Sequence, residues 1–515
     1  MSSCWHPPCD EGVVRGKAAV AAVGGGGRWI LATTILGSSL SFIDGTVVNV
    51  ALPVLQLKLH ASAAQAQWVV EAYTLSLSAF LLVGGALGDR FGRRRVFAVG
   101  VSIFAVASML CGAAPNVDAL IAARGLQGFG AALLTPGSLA ILSAHFGDDE
   151  RGRAIGTWSG FTAITTALGP VLGGWLVQHA SFRWIFFINV PLAAIVLLLA
   201  RWKVVESRDP EATGPLDWRG SLLAAVGLGS LVYGLISFSS PSHRPWSLVA
   251  VALGAFWLAI FARVERETVS PMLPLSLFRS KPFVAANLLT LFLYGALGAT
   301  LFFWPFTLIG VHRYAPAAAG VAMLPFVLIM FALSRWSGAL VDRYGARRPL
   351  IVGPLVAGAG FFFFAVPGMH GSYASTYLLP AVMLGLGMAI SVAPLTTLVI
   401  SSVPGGRAGT ASAVNNAVAR TAGLLSIAAL GLVVSFVFSA ELRAHLFGHL
   451  PEDVVRAVWS ERDRLIDVDV SALPESMRET TREIIACAYL QGFRATALVS
   501  AVLAWTSAAV SAAML

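Results

Sequence analysis

The feature that most constrains this chain is the spacing of its apolar runs. Stretches of roughly 20 residues with few charges, long enough to cross a bilayer as a helix, begin near Trp29, Trp68, Val96, Ala119, Ala154, Trp184, Ser221, Trp246, Phe283, Ala317, Leu350, Thr376, Ala411 and Cys487. A backbone in hydrocarbon must satisfy its own polar groups, so runs of this length predict helices. Hydrophobic residues make up 57% of the chain and charged residues 12%, against about 25% charged in a soluble chain. The expected fold class is an all-α integral membrane protein with about 14 transmembrane helices. Its formal charge of +9 sits in connecting loops, which points to the lipid bilayer as partner and not to nucleic acid.

Loop charge sets the orientation. With the N-terminus in the cytoplasm, Arg90/Arg93/Arg94/Arg95, Arg151/Arg153, Arg201/Lys203/Arg208, Arg263/Arg266/Arg279/Lys281 and Arg343/Arg347/Arg348 all fall inside. The opposite short loops hold little beyond Lys58, Arg183, Arg244 and Arg313. That asymmetry follows the positive-inside rule and predicts a multi-pass protein of the cytoplasmic (inner) membrane with both termini cytoplasmic. Residues 1–28 read as a disordered cytoplasmic tail, without the ordered parts of a secretory signal. A metal site built from the cysteine pair and His6 of CWHPPC is the alternative there; no metal is expected. The four cysteines are scattered and imply no disulfide framework. One long hydrophilic segment, 441–486, falls outside, and its Pro451-Glu-Asp and Pro474-Glu-Ser mark helix starts. A short amphipathic cap on the outer surface is expected in preference to a binding module.

An internal repeat organises the spans. Residues 85–95, GALGDRFGRRR, recur as residues 338–348, GALVDRYGARR, with eight of eleven positions identical. The copies join the second span to the third and the tenth to the eleventh. A second echo, Gly152-Arg153-Ala154 and Gly406-Arg407-Ala408, opens the fifth and thirteenth spans. Two related six-helix halves satisfy these positions. They are 29–201 and 283–515, the latter with the external loop 441–486, and 202–282 supplies two linking spans.

Charges at membrane depth are informative because each costs about 3 kcal/mol on insertion scales. Asp44, in DGTVVNVALP (44–53), lies about 22 Å along its helix from Trp29. Arg124, in ALIAARGLQGFGAA (119–132), lies roughly 10 Å below the outer face, a similar depth. Glu71 begins the second span a turn below that face, where it reads either as a cavity group or as a residue in contact with headgroup water. Arg420 stands near mid-membrane after Asn415 and Asn416, and contact with substrate or with a helix end both fit. In GFTAITTALGPVLGG (160–174) small residues surround Pro170; they let helices approach closely, while the proline frees a carbonyl and bends the helix. The 85–95 turn is made possible by Gly88 and Gly92 and sets Asp89 among four arginines.

These motifs, with FRWIFFINVP (182–191), stand in one order along the spans. They resemble the major facilitator superfamily in its fourteen-helix drug:proton antiporter group, the EmrB/QacA type, from about Trp29 to the C-terminus. The resemblance implies two six-helix bundles plus two additional helices, and alternating access. It implies export of amphipathic small molecules (drugs, antibiotics or secondary metabolites) against protons, with no cofactor beyond the proton gradient. It assigns proton coupling to Asp44, Arg124 and Glu71. A cytoplasmic gate falls to Gly85, Asp89, Arg90, Gly92 and Arg94, and to Asp342 and Arg343 of the second copy. The antiporter motif at the interface between halves falls to Gly160, Gly169, Pro170, Gly173 and Gly174. The substrate cavity is expected near Asn49, Asn415, Asn416 and Arg420. Plainer readings stand beside each: topology signals for the loops, close packing for the glycines, a structural ion pair for Arg124. An uptake symporter of the same fold and a non-transporting receptor or scaffold are the rival functions. Enzymatic chemistry is not expected, since the sequence holds no phosphate loop with its lysine, no metal-ligand cluster and no nucleophile–base constellation. Asp44 and Glu71 are the acids clearly within spans, few for a pump of divalent organic cations.

Overall fold

The computed structural model describes residues 27–209, 216–238, 244–268, 271–404, 407–447, 450–471 and 473–515. The tail with Cys4, His6 and Cys9 therefore lies outside the described residues. Among the described residues, 14 helices are long and apolar enough to cross a membrane. They are α1 (Gly27–Lys58), α2 (Ala63–Phe91), α3 (Arg93–Ala113), α4 (Val117–His145) and α5 (Asp148–His179). After the single turn Trp184–Phe187 come α6 (Asn189–Lys203), α7 (Trp218–Ser237) and α8 (Arg244–Glu267). Then follow α9 (Lys281–Phe306), α10 (Pro316–Ala322, resumed as Leu324–Tyr344) and α11 (Arg347–Phe364). The last are α12 (Leu378–Ser401), α13 (Ala408–Leu446) and α14 (Glu475–Met514).

Polar residues inside these spans are reconciled locally. In α1 the hydroxyls of Thr33, Thr34, Ser39 and Thr46 donate to carbonyls three or four residues earlier, at 2.7–3.1 Å. Such back-bonding lets a helix carry hydroxyls where water is absent. The start of α2 is a capping box: Ser62 Oγ accepts from Gln65 N at 3.2 Å, and Gln65 Oε1 accepts from Ser62 N at 3.0 Å.

The two halves pack their helices in the same pattern. In the first, α4 lies against α2 and α3, and α1 against α5 and α6; in the second, α12 lies against α10 and α11, and α9 against α13 and α14. Across the seam the exchange is also symmetric, with α5 on α10 and α13 on α2. Of the linking pair, α7 rests on α2 and α13 and α8 packs on α7, leaving α8 facing outward along most of its length. Two bundles of six with an added pair is the architecture that the repeat implied.

The expected external segment 441–486 is helical at both ends. Helix α13 continues to Leu446 and α14 already begins at Glu475, because helical hydrogen bonding runs on past the point where the apolar run ends. The connection contains a helix, Glu452–Ser460, that buries Val454, Val455 and Val458. A 3₁₀ turn, Arg462–Asp467, follows, with buried Leu465 at φ 56°, a strained conformation for a branched residue. This strap sits over the seam. Gln56 of α1 donates to Arg464 O at 2.8 Å. Leu465 lies among Ala63 and Gln67 of the first half and Phe302, Phe306 and Tyr489 of the second. Gly310 leaves room for Ile466, which any Cβ there would overlap.

Beside the strap, a recess of about 500 Å³ is lined by Asp467 with His60, Arg464, Asp469, Arg482 and Glu483. Burial pushes the Asp467 carboxyl up from 3.8 to about 7, against the opposing pull of Arg464. A folded-state value above the unfolded one stabilises docking below about 4, and that contribution is lost as pH rises through about 7. Protease nicking of the strap is therefore expected to increase between these limits, and Asp467→Asn to flatten the profile. An unchanged profile in that variant would assign the dependence to His60 or another lining group.

Candidate functional site: a buried ion pair between α1 and α4

Asp44 and Arg124 meet in the core of the first half, 0% and 1% exposed. Arg124 Nη1 donates to Asp44 Oδ2. The other carboxylate oxygen accepts from Gln127 Nε2 at 2.8 Å and from Asn189 Nδ2 at 3.2 Å. Arg124 also donates to Val69 O at 3.0 Å and to Gln127 Oε1 at 2.7 Å. Ser108 ties the far side together, accepting from Gln127 and Asn189 and donating to Phe186 O at 2.8 Å. The guanidinium carbon lies 4.3 Å from the centre of the Tyr73 ring, and Tyr73 Oη bonds Ser41 Oγ at 2.8 Å. Helix spacing explains the convergence: Arg124 and Gln127 are three apart and share a face of α4. Asp44 thus accepts from three donors, the bonding pattern of an ionised carboxylate.

Two partners in this network carried signals that the sequence reading left unused. Gln127 stands in the quoted RGLQG, and Asn189 is the asparagine of FINVP. Ser108 carried none.

Next to the pair, Arg124 lines a cavity of about 180 Å³ between the halves, with Ser41, Tyr73, Thr74 and Thr166 of the first half and Arg420 of the second. Other expected site residues lie elsewhere. Glu71 is 0% exposed, and neither carboxyl oxygen has a hydrogen-bond partner among the described residues. It shares a face of α2 with Trp68 and Leu75, which pack on α7 and α13. Those helices cover it, so the reading of Glu71 as a headgroup-facing residue does not hold. Asn415 is turned into the second half, donating to Thr290 Oγ1 at 2.7 Å and Asn287 Oδ1 at 3.2 Å. Asn416 is exposed and bonds Ser412 O at 3.1 Å. Asn49 keeps a buried Oδ1 without a partner among the described residues.

The expected gate loop is built around one glycine. Gly92 stands at φ +111°, and Gly345, its counterpart in the second copy, at φ +70°, a region closed to most side chains. Across that turn Arg93 Nε and Nη2 each approach Asp89 Oδ1 to 2.8 Å. Gly92 has no side chain with which to cap α3. Glu206 does so instead, accepting from the N–H groups of Arg94 at 3.0 Å and Arg95 at 3.2 Å. Arg93 N–H donates to Ser207 O and Asp209 N–H to Asp89 O, at 2.8 and 2.9 Å. Glu206 was missed in the sequence, although an acid beside Arg201, Lys203 and Arg208 was visible. Gly85, Asp89 and Arg90 face Gly409, Thr410 and Ala413 of α13 across a cleft of about 480 Å³. Arg343 is exposed and stacks on Tyr344, 5.3 Å from the ring centre; the Asp342 side chain lies outside the described residues.

The glycines of α5 divide by position. Gly169 and Gly173 seat α5 on Thr46 and Val47 of α1. Gly174 meets Pro316 O of α10, and Gly320 meets Pro170 O in return, each so closely that a Cβ would overlap the carbonyl. At the arginine-rich end a Cβ on Gly156 or Gly160 of α5, Gly338 of α10 or Gly409 of α13 would have nothing within 4 Å among the described residues. Among the described residues, the halves meet at the strap end and stand apart at the arginine-rich end.

Two like six-helix bundles, closed at one end and open at the other around a charged centre, define a secondary transporter. A model of the Major Facilitator Superfamily matches residues 34–427, and the chain belongs to that superfamily. It is 36% identical over 437 residues to the multidrug resistance protein Stp of Mycobacterium tuberculosis, covering 84% of this chain and 80% of that one. It is 35% identical to the tetracenomycin C resistance and export protein of Streptomyces glaucescens, covering 82% and 78%. The puromycin resistance protein pur8 of Streptomyces alboniger is also 35% identical, covering 81% and 84%. Among solved structures, a bacterial homologue of the human lysosomal transporter Spinster, inward-facing and unoccupied, superposes with a TM-score of 0.67. It is 17% identical and covers 96% of this chain and 98% of that chain, a likeness of fold.

Two outcomes test this geometry. Removing one partner of a buried pair strands the other charge at a cost of about 3–5 kcal/mol, whereas removing both is far milder. Arg124→Leu is therefore expected to lower the unfolding temperature in detergent sharply, and Asp44→Leu combined with Arg124→Leu to recover most of the loss. Gly174→Val overpacks the seam, at about 1–3 kcal/mol or more, and should destabilise the protein in the same assay. Gly160→Val should not. Equal effects of the two glycine substitutions would remove the seam from the account.

Proposed function

We propose that this protein exports amphipathic small molecules across a bacterial cytoplasmic membrane in exchange for protons, by alternating access between its two six-helix halves. The observation that carries the reading is the Asp44–Arg124 pair, sealed from solvent next to a cavity shared by both halves. The relatives named for multidrug resistance, for tetracenomycin C resistance and export and for puromycin resistance support drug-like cargo. The excess of arginine at the open end supports its assignment to the cytoplasm, so the conformation is inward-facing and both termini are inside.

The chemistry asked of the site is a change of charge. A proton reaching Asp44 from outside neutralises it and releases Arg124 from its ion pair, which loosens the contact between α1 and α4. Loss of that proton to the cytoplasm restores the pair described above. One elementary charge crossing 100 mV is worth about 2.3 kcal/mol, enough to bias a cycle that carries cargo the other way. The 85–95 loop closes the inner side in the opposite state by meeting the start of α13, while Glu206 holds it in register. The drive is the proton gradient, and no ATP, metal or catalytic group is needed.

Everted vesicles test the reading. The wild-type protein is expected to accumulate drug substrates when the interior is acidified. Asp44→Asn, which cannot titrate, should lose uphill accumulation and retain gradient-free exchange of labelled for unlabelled substrate. Uphill accumulation at the wild-type rate in Asp44→Asn would move coupling to Glu71. Accumulation in right-side-out vesicles instead would make the protein an uptake symporter.

A further inference from the structure

We propose that the cavity between the halves takes its cargo by an anionic head group, a carboxylate, sulfonate or phenolate on an amphipathic body, and that Arg420 selects it. The inference rests on the exporter reading and deepens it by naming the substrate class.

The inventory of charge carries the argument. Among the described residues, the titratable side chains lining the cavity are Tyr73, Arg124 and Arg420, with no carboxylate. Asp44 is 0% exposed and already committed to Arg124, Gln127 and Asn189. Glu71 is 0% exposed on another face of α2. Since Arg124 is neutralised by Asp44, the site keeps one net positive charge, on Arg420. Among the described residues that guanidinium has neither an ion pair nor a hydrogen bond. A cation held at membrane depth without a counter-ion is costly and marks an ion or substrate pathway. An anionic cargo would supply the missing partner, and a guanidinium fork matches the two oxygens of a carboxylate or sulfonate.

Size and lining agree. The cavity, about 180 Å³, is smaller than the ~300–1,000 Å³ pockets that enclose whole drug-sized ligands. It therefore fits a head group, with the apolar body extending toward the open end. Ser41, Thr74 and Thr166 offer hydroxyls, and Phe42 and Tyr73 offer aromatic faces. A cationic cargo would find repulsion, and no acid among the described lining residues. The electrical consequence is specific. At one proton per substrate, exporting a monoanion moves two charges per cycle, a neutral compound one, and a monocation none.

The test uses the purified full chain and two dyes with the same tricyclic xanthene core, anionic fluorescein and cationic rhodamine 123. Binding is read by fluorescence anisotropy, and transport by accumulation in proteoliposomes with an imposed potential. The wild-type protein is expected to bind fluorescein more tightly. Arg420→Gln should weaken fluorescein by about 10- to 100-fold, as for loss of a charged hydrogen bond, without weakening rhodamine 123. Arg420→Lys should fall between, and Arg420→Glu should reverse the preference, which also shows that the variants fold. Tighter binding of rhodamine 123 by the wild type, no binding of fluorescein, or equal loss of both dyes in Arg420→Gln overturns the proposal. Fluorescein binding that depends on Arg420 but is never coupled to transport would sink the exporter reading and leave the head-group assignment standing.

Discussion

A carboxylate and a guanidinium share the centre of the first half, and the packing around them answers to that fact. Neither group could be buried alone, because an unmatched charge in hydrocarbon shifts its protonation or drags in water. The pair needs Gln127, Asn189 and Ser108 to take up its remaining valences, and these draw α1, α3, α4 and α6 into one register. The pair is also a poor source of stability, since its attraction is spent against desolvation. In the proposed cycle its value lies in having two states of charge, each with its own best arrangement of helices.

Small residues supply the other half of such a device. In lipid there is little hydrophobic drive between helices, so close backbone approach is what holds them. The contacts of Gly174 with Pro316 and of Gly320 with Pro170 are backbone against backbone, without side chains that must unlock. A seam of this kind can part and re-form at modest cost, whereas the first half carries an apolar core of its own around Phe97, Phe104 and Leu134. Rigid halves on a separable seam are the mechanical requirement of alternating access.

Much of this was legible in the sequence because a membrane imposes few solutions. The number of spans, the two-fold repeat and the pairing depth of Asp44 and Arg124 follow from helix rise and from the cost of buried charge. Less legible was anything decided by the facing of a helix across the seam. Glu71 reads either as a cavity group or as an interfacial acid until it is seen buried on the face of α2 that carries Trp68 and Leu75, and Asn415 reads as a cavity group until it turns toward Asn287 and Thr290. Glu206 caps α3 from more than a hundred residues away in the chain, a pairing that no local pattern announces. The Leu465 turn, strained and non-repeating, has no period to read.

That turn changes what can act on the protein. Leu465 and Ile466 are wedged where, in the proposed cycle, the halves separate for cargo to leave, and they belong to a strap and not to the bundles. With both termini inside, as proposed, the exit is bolted by a piece of chain that a large, membrane-impermeant molecule can reach. An antibody fragment or cyclic peptide clasping residues 450–471 would then hold the transporter in the conformation described here. Raising the drug concentration would not displace it, since it would never compete for the cavity.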